Sequence, residues 1–284
     1  PMHMYPAFNR LYDDLWVLWH QTSGPMRLRS SDYLFANPAY PPVAAHIIAV
    51  VDDLVSHYAV DGVHLDYIRY AGPYYSFDPK TQSLYEQARS LDPLLTHEDW
   101  QRQQISRLVE RLHGILQERR PGAWLSAAVW PAYQDQWDWW DDRIPDGYNG
   151  YYQDSVGWLL KGDIEAIAPM MYTSNILNDP VGFRINSQVL INALLNEPSR
   201  YQILLDDFLQ RAHGRWVLPG IYADYPTFTP IAQRIEWARK AGARGHAIFS
   251  YALLNQRGYW DDLLNGPYRR PALIPPLYQP PTPQ

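Results

Sequence analysis

The run Asp61-Gly-Val-His-Leu-Asp-Tyr-Ile-Arg-Tyr70 sets a carboxylate where a short apolar strand ends. Val63 and Leu65 alternate with His64 and Asp66, so at the two-residue period of a strand the apolar pair takes one face and the polar pair the other. In a parallel barrel the first pair packs on helices and the second points inward. An inward carboxylate at the C-terminal end of a barrel strand lies at the mouth, where such folds keep their chemistry. Asp66 is therefore the first candidate catalytic group; its alternative is to cap or turn the chain after the strand. Asp61, just before Gly62, reads as a structural turn residue. His64 and Asp66 offer two metal ligands with no third apparent nearby, so no metal is expected and His64 reads as a hydrogen-bonded core residue.

Aromatic usage points the same way. There are 12 Trp and 22 Tyr against 7 Phe, and a core needing only apolar volume has no use for so many polar edges. Flat faces with hydrogen-bonding rims suit pyranose rings, whose C–H faces stack while their hydroxyls bond outward; Tyr and Trp also fill the cores of large α/β proteins. A net charge of -6 leaves no basic face to replace phosphate counterions, which excludes a nucleic-acid partner. Zero cysteines exclude disulfides and thiolate metal sites. No apolar run reaches the roughly 18 residues of a membrane helix, so no membrane span is expected. No cofactor is implied, and oligomeric state is left open.

The elements that must position Asp66 alternate in type. Strand-like segments are Met2–Pro6, Gly62–Asp66, Trp124–Trp130, Ile164–Met171, Trp216–Tyr222 and His246–Tyr251. Between them Val43, Ile47, Val50, Val51, Leu54 and Tyr58 share one helical face, and Ile105, Leu108, Val109, Leu112 and Leu116 share another. A further helix is predicted from Thr229-Pro230, an N-cap followed by proline, to about Lys240 before Gly242. Such alternation implies a parallel sheet. No Gly-x-Gly-x-x-Gly or phosphate-loop pattern supports a nucleotide-binding sheet, so a (β/α)8 barrel of the TIM type is expected. The barrel domain is expected over residues 1–266. Pro267–Gln284, with seven prolines and no period, is expected to be an extended tail or linker.

The Asp61–Tyr70 run, with His57-Tyr-Ala-Val60 before it, resembles the fourth-strand signature of the bacterial glycoside-hydrolase-like family ten barrels. Further resemblance lies in Asn37-Pro38, Tyr152-Gln-Asp-Ser155 with Trp158-Leu and Gly162, Ile167-Ala-Pro-Met-Met-Tyr172 and Gly245-His-Ala-Ile-Phe-Ser-Tyr251. On that barrel Met2–Pro6 corresponds to the third strand, so strands one and two, with any leader, are expected to be missing. The resemblance implies hydrolysis of glycosidic bonds in bacterial envelope polysaccharide, with peptidoglycan glycan strands as the leading substrate, and an extracytoplasmic location: periplasm, cell surface or secreted. The run is also similar to the Asp-Gly-x-Asp-x-Asp-x-Glu of family 18 chitinases. Ile68 stands where their acid would be and His64 replaces the middle Asp, which argues against substrate-assisted chemistry.

Glycoside cleavage needs two carboxyl groups, one to protonate the leaving oxygen and one as nucleophile or base. Asp224, after the strand Val217–Tyr222, is the candidate partner of Asp66, with starting the Tyr225-Pro226 turn as its alternative. Asp154 reads as a helix N-cap and Glu165 as structural. The loop 131–152 carries Trp137, Trp139, Trp140, Tyr148 and Tyr151 among Asp135, Asp138, Asp141 and Asp142; it reads as sugar platforms or a self-packed lid, and Asp141 or Asp142 is a further candidate acid. Arg69 is a candidate to hold a substrate hydroxyl or carboxylate, or to keep Asp66 ionised. Tyr67, Tyr70, Trp130, Tyr172, Tyr222 and Tyr251 form a candidate aromatic rim, and Tyr5 and Arg10 follow the first strand in matching positions. The alternative functions are a non-catalytic carbohydrate-binding barrel and a metal-dependent carbohydrate deacetylase.

Overall fold

A computed structural model describes residues 14–27, 33–137, 146–172 and 200–272. It divides into two compact units. One draws on Pro1–Gly62, Tyr67–Ala123 and Tyr148–Asp154, the other on Val63–Asp66, Trp124–Gly147 and the chain from Ser155 onward.

In the first unit, strands β1 (Trp19–His20) and β2 (Gly24–Pro25) form a small antiparallel ribbon. Helix α1 (Pro41–His57) opens on two prolines, whose fixed φ suits a first helical turn and whose missing N–H costs nothing there. Asn37, wholly buried ahead of it, accepts from Ala39 N at 3.1 Å and donates to both Asp78 Oδ2 and Thr81 Oγ1 at 3.0 Å. Asp78 in turn caps helix α2 (Pro79–Leu91) by accepting from Thr81 N at 2.8 Å. The Asn-Pro pair thus ties two helix starts together. Helix α3 (His97–Arg119) starts from Thr96, whose hydroxyl accepts from Asp99 N and donates to Asp99 Oδ2.

Helices α1 and α3 pack against each other. On α3 the expected stripe of Ile105, Leu108, Val109, Leu112 and Leu116 is buried. On α1 the buried residues are Val43, Val51 and Val55, whereas Val50 is 51% exposed and Leu54 and Tyr58 are exposed too. The apolar stripe is wider than the strip its partner helix covers, so one flank of the expected face remains in solvent.

The second unit holds a four-stranded sheet in the order β3 (Gly62–Leu65), β4 (Trp124–Val129), β5 (Ala166–Pro169), β6 (Trp216–Val217). β4, β5 and β6 run parallel. Leu125, Ala127 and Val129 are buried in alternation along β4, while every residue of β5 is buried, as expected for a parallel strand flanked on both sides. A second parallel pair joins β7 (Gly220–Tyr222) to β8 (Ala247–Phe249). The segment expected as one strand, Trp216–Tyr222, is thus split. Leu218 N donates to Ile167 O, and the next residue, Pro219, has no N–H to continue that ladder; its carbonyl accepts from Ala247 instead.

Around these strands lie α4 (Ser155–Lys161), α5 (Arg200–Arg211), α6 (Thr229–Lys240), α7 (Tyr251–Arg257) and α8 (Trp260–Asn265). Helix α6 has the bounds its proline and glycine announce, although Phe228, not Thr229, takes the cap position. Among the described residues no helix is long and apolar enough to cross a membrane. The expected strand Met2–Pro6, Tyr5, Arg10 and residues 273–284 of the tail lie outside the described residues.

Candidate active site

Strand β3 delivers His64 and Asp66 to one exposed face, while Val63 and Leu65 are half-buried on the other. His64 Nδ1 sits 2.9 Å from Ser126 Oγ on the neighbouring strand β4, which orients the ring. Loss of water around the imidazole pushes its pKa down, and Asp66 pulls it back up. Directly after Asp66 the chain turns through Tyr67, whose φ of +55° is left-handed, a conformation costly for a bulky residue and one that recurs at functional sites.

Asp66 is electrostatically coupled to Tyr172, three residues past the end of β5. Burial, with the negative charge of Asp66 second, pushes the Tyr172 phenol up to about 12. The ring of Tyr172 stacks on Phe249 at 5.2 Å and 25° and lies 6.1 Å from Tyr222. This close stack requires Gly220: a Cβ there would come within 2.8 Å of Pro169 O and 2.9 Å of Tyr172 Cε1. The Tyr222 hydroxyl reaches Asp224 Oδ2 at 3.5 Å, and Arg257 holds Asp224 Oδ1 from Nε and Nη2. Burial, then the Asp224 charge, raises the Tyr222 phenol. Tyr172, Tyr222 and Phe249 therefore make an aromatic floor with Asp66 associated with one ring and Asp224 with another. Each of these side chains lies at or just beyond the C-terminal end of its strand, the end that carries chemistry in parallel α/β folds.

The first unit has an aromatic cluster of its own. Arg69 places its guanidinium 4.9 Å from the Tyr151 ring centroid, 5.1 Å from Tyr67 and 5.5 Å from Phe35. Cation–π contacts of this kind are worth about 0.5–2 kcal/mol each. Arg69, Tyr67, Tyr33 and Phe35 line a cavity of about 330 Å³ whose apolar lining includes Ile47, Ile105 and Leu108. Burial raises the Tyr151 phenol against the opposing charge of Arg69.

Not every expected rim residue is accessible. Tyr70 is 0% exposed: its N–H donates to Tyr151 O, its ring meets Tyr152 edge-on, and it belongs to the core, not to an accessible rim. Its inward turn follows from the left-handed Tyr67, which reverses the side-chain alternation a strand would have continued. Trp130 is half-buried beyond β4, and Tyr251, 73% exposed, begins α7 and pairs with Trp260. Glu165 is structural, its Oε2 accepting from Leu125 N at 2.7 Å. In the long loop Asp135 N donates to Asp146, and Asp138, Trp139, Trp140, Asp141 and Asp142 lie outside the described residues. Phe249 and Arg257 escaped the sequence reading. Phe249 stands inside the Gly245–Tyr251 motif, but nothing in the spacing links Arg257 to Asp224, 33 positions away. Among the described residues no three His, Asp, Glu or Cys side chains group as a metal site.

Residues 6–190 match the family model described as Glycosyl hydrolase-like 10, and the chain belongs to that family. Its curated relatives include Glycosyl hydrolase YngK of Bacillus subtilis (strain 168), 24% identical over 86% of this chain and 48% of the relative. Glycosyl hydrolase DigH of Escherichia coli (strain K12) is 28% identical over 54% of this chain and 34% of its own length. The chain thus spans about half or less of the curated relatives it matches. Among solved structures, the alpha-L-fucosidase isoenzyme 2 of Paenibacillus thiaminolyticus shares the fold with a TM-score of 0.50 and 15% identity, over 88% of this chain and 34% of that one.

Proposed function

We propose that the protein is a glycoside hydrolase of bacterial envelope polysaccharide, with peptidoglycan glycan strands as its substrate class and a (β/α)8 barrel as its scaffold, acting outside the cytoplasm. The observation that carries this reading is the pair of carboxylates on one aromatic floor: Asp66 coupled to Tyr172, and Asp224 bonded to Tyr222, with the two rings 6.1 Å apart. A sugar ring stacks on Tyr172, Tyr222 and Phe249 with its hydroxyls free to bond outward. Asp66 and Asp224 then share the acid and the nucleophile or base roles. Arg257 holds Asp224 by Oδ1 and leaves Oδ2 on the Tyr222 side, toward the sugar. Within its own unit, Arg69, seated among rings, serves as a sugar contact. The relatives named glycosyl hydrolases support the reaction class.

One observation favours the second reading, a carbohydrate-binding barrel without catalysis: the ion pair with Arg257 already engages Asp224. An assay of the protein with its Asp66→Asn and Asp224→Asn variants on intact and peptide-stripped peptidoglycan, with product masses, separates the two. Cleavage lost by a hundredfold or more in both variants is the expected result. Unchanged cleavage removes the carboxylates from the mechanism. Binding without product selects the second reading.

A further inference from the structure

The end of β8 that lies away from Phe249 carries a different chemistry. A pocket of about 330 Å³ opens there between the last turn of α6 and the chain that follows α8. Its walls include Arg239, Arg244, Arg270, His246 and Tyr268 and, among the described residues, no acidic side chain. Arg239 has local reasons to be present: it lies in the last helical turn, where a cation meets the negative end of the helix dipole, and its Nη2 donates to Pro267 O at 2.8 Å. Arg244 and Arg270 have no such reason. Both are exposed, and among the described residues neither guanidinium has an acidic partner.

Three arginine side chains line one small concavity in a chain of net charge -6, a local concentration of positive charge that an anion would neutralise. The floor is built to be neutral. His246 stacks on Tyr268 at 5.7 Å and 20°, its Nε2 meets the Tyr268 hydroxyl, and burial, reinforced by the charge of Arg239, pushes the imidazole pKa down to about 4. Arginine forks match the paired oxygens of phosphate and carboxylate.

We propose that this pocket binds an oxyanion-bearing ligand, a phosphate or a carboxylate carried on a sugar, held by Arg239, Arg244 and Arg270 above the His246–Tyr268 pair. Its place at the opposite strand end from Tyr222 and Phe249 makes it an anchoring site and not a second reaction centre. The anion site rests on its own lining residues; only the sugar as carrier rests on the glycosidase reading, and the phosphate titration tests the first without the second.

The test titrates the full chain with inorganic phosphate, with glucuronate and with glucose as the uncharged control, by calorimetry at low salt, while NMR follows the His246 ring. Binding of phosphate or glucuronate but not glucose is expected. The anion stabilises the imidazolium and so raises the His246 pKa. Arg244→Gln combined with Arg270→Gln, both on exposed side chains, weakens binding at least tenfold without loss of fold. Tighter phosphate names a phosphate ester as the ligand group, and tighter glucuronate names an acidic sugar. No binding of either anion at millimolar concentration, equal binding of glucose, or binding unchanged in the double variant overturns the proposal.

Discussion

Arg257 reaches back from the last residue of α7 to hold Asp224 Oδ1 with Nε at 2.8 Å and Nη2 at 2.7 Å. Both side chains keep about a third of their surface in water, so the pair is worth little as a stabilising bridge; surface pairs contribute about 0–1 kcal/mol. Its consequence is geometric, because it leaves Oδ2 on the Tyr222 side.

Arg257→Gln is accordingly expected to leave thermal stability within a degree or two while lowering cleavage at least tenfold through misplacement of Asp224. Melting curves and initial rates on the same preparations check this. A large loss of Tm with unchanged kcat would assign the pair a structural role.

Gly220→Ala sets a methyl group against Pro169 O and the Tyr172 ring. Backbone cannot yield as a flexible side chain can, so a cost of about 1–3 kcal/mol is expected, together with a displaced Tyr172. Denaturant unfolding and substrate-binding titration report the two effects separately. Full stability would show that the β5–β7 approach is looser than these distances require.

The Tyr172 phenol is raised to about 12 in the folded chain against an ordinary value of 10. A raised folded pKa means that the stabilisation is complete below pH 10 and is lost as pH climbs toward 12, where the unfolded chain already favours tyrosinate. Tyr172→Phe is expected to flatten part of that alkaline loss, measured by urea unfolding between pH 9 and 12. An unchanged profile in the variant would remove Tyr172 as a contributor.

Asn37→Ala strips the shared partner from the Asp78–Thr81 cap inside a closed environment. Leaving buried polar atoms unpaired costs about 1–3 kcal/mol, and the starts of both α1 and α2 should exchange amide hydrogen faster. Unaltered protection at Thr81 N would show that the cap stands alone.

Much of the architecture was legible locally. The strand at Gly62–Leu65, the buried stripe of α3 and the bounds of α6 follow from period, proline and glycine, because those signals act within a turn or two of chain. The stripe on α1 was only half legible: how much of an apolar face is covered depends on the partner helix, not on the helix itself. The split at Pro219 was written in one residue, yet which sheet each half joins was decided by the strands available to it.

The sequence by itself determined that a carboxylate follows β3, that aromatics end several strands, and which family these motifs resemble. Only the tertiary structure decided that Tyr172 stacks on Phe249, that Tyr70 turns into the core, and that Arg257 grips Asp224. Strand ends and motifs are short-range facts of the chain. A site is a long-range one: its members meet through parallel pairing and a backbone approach that Gly220 permits, and no spacing between residues so far apart in sequence encodes that meeting.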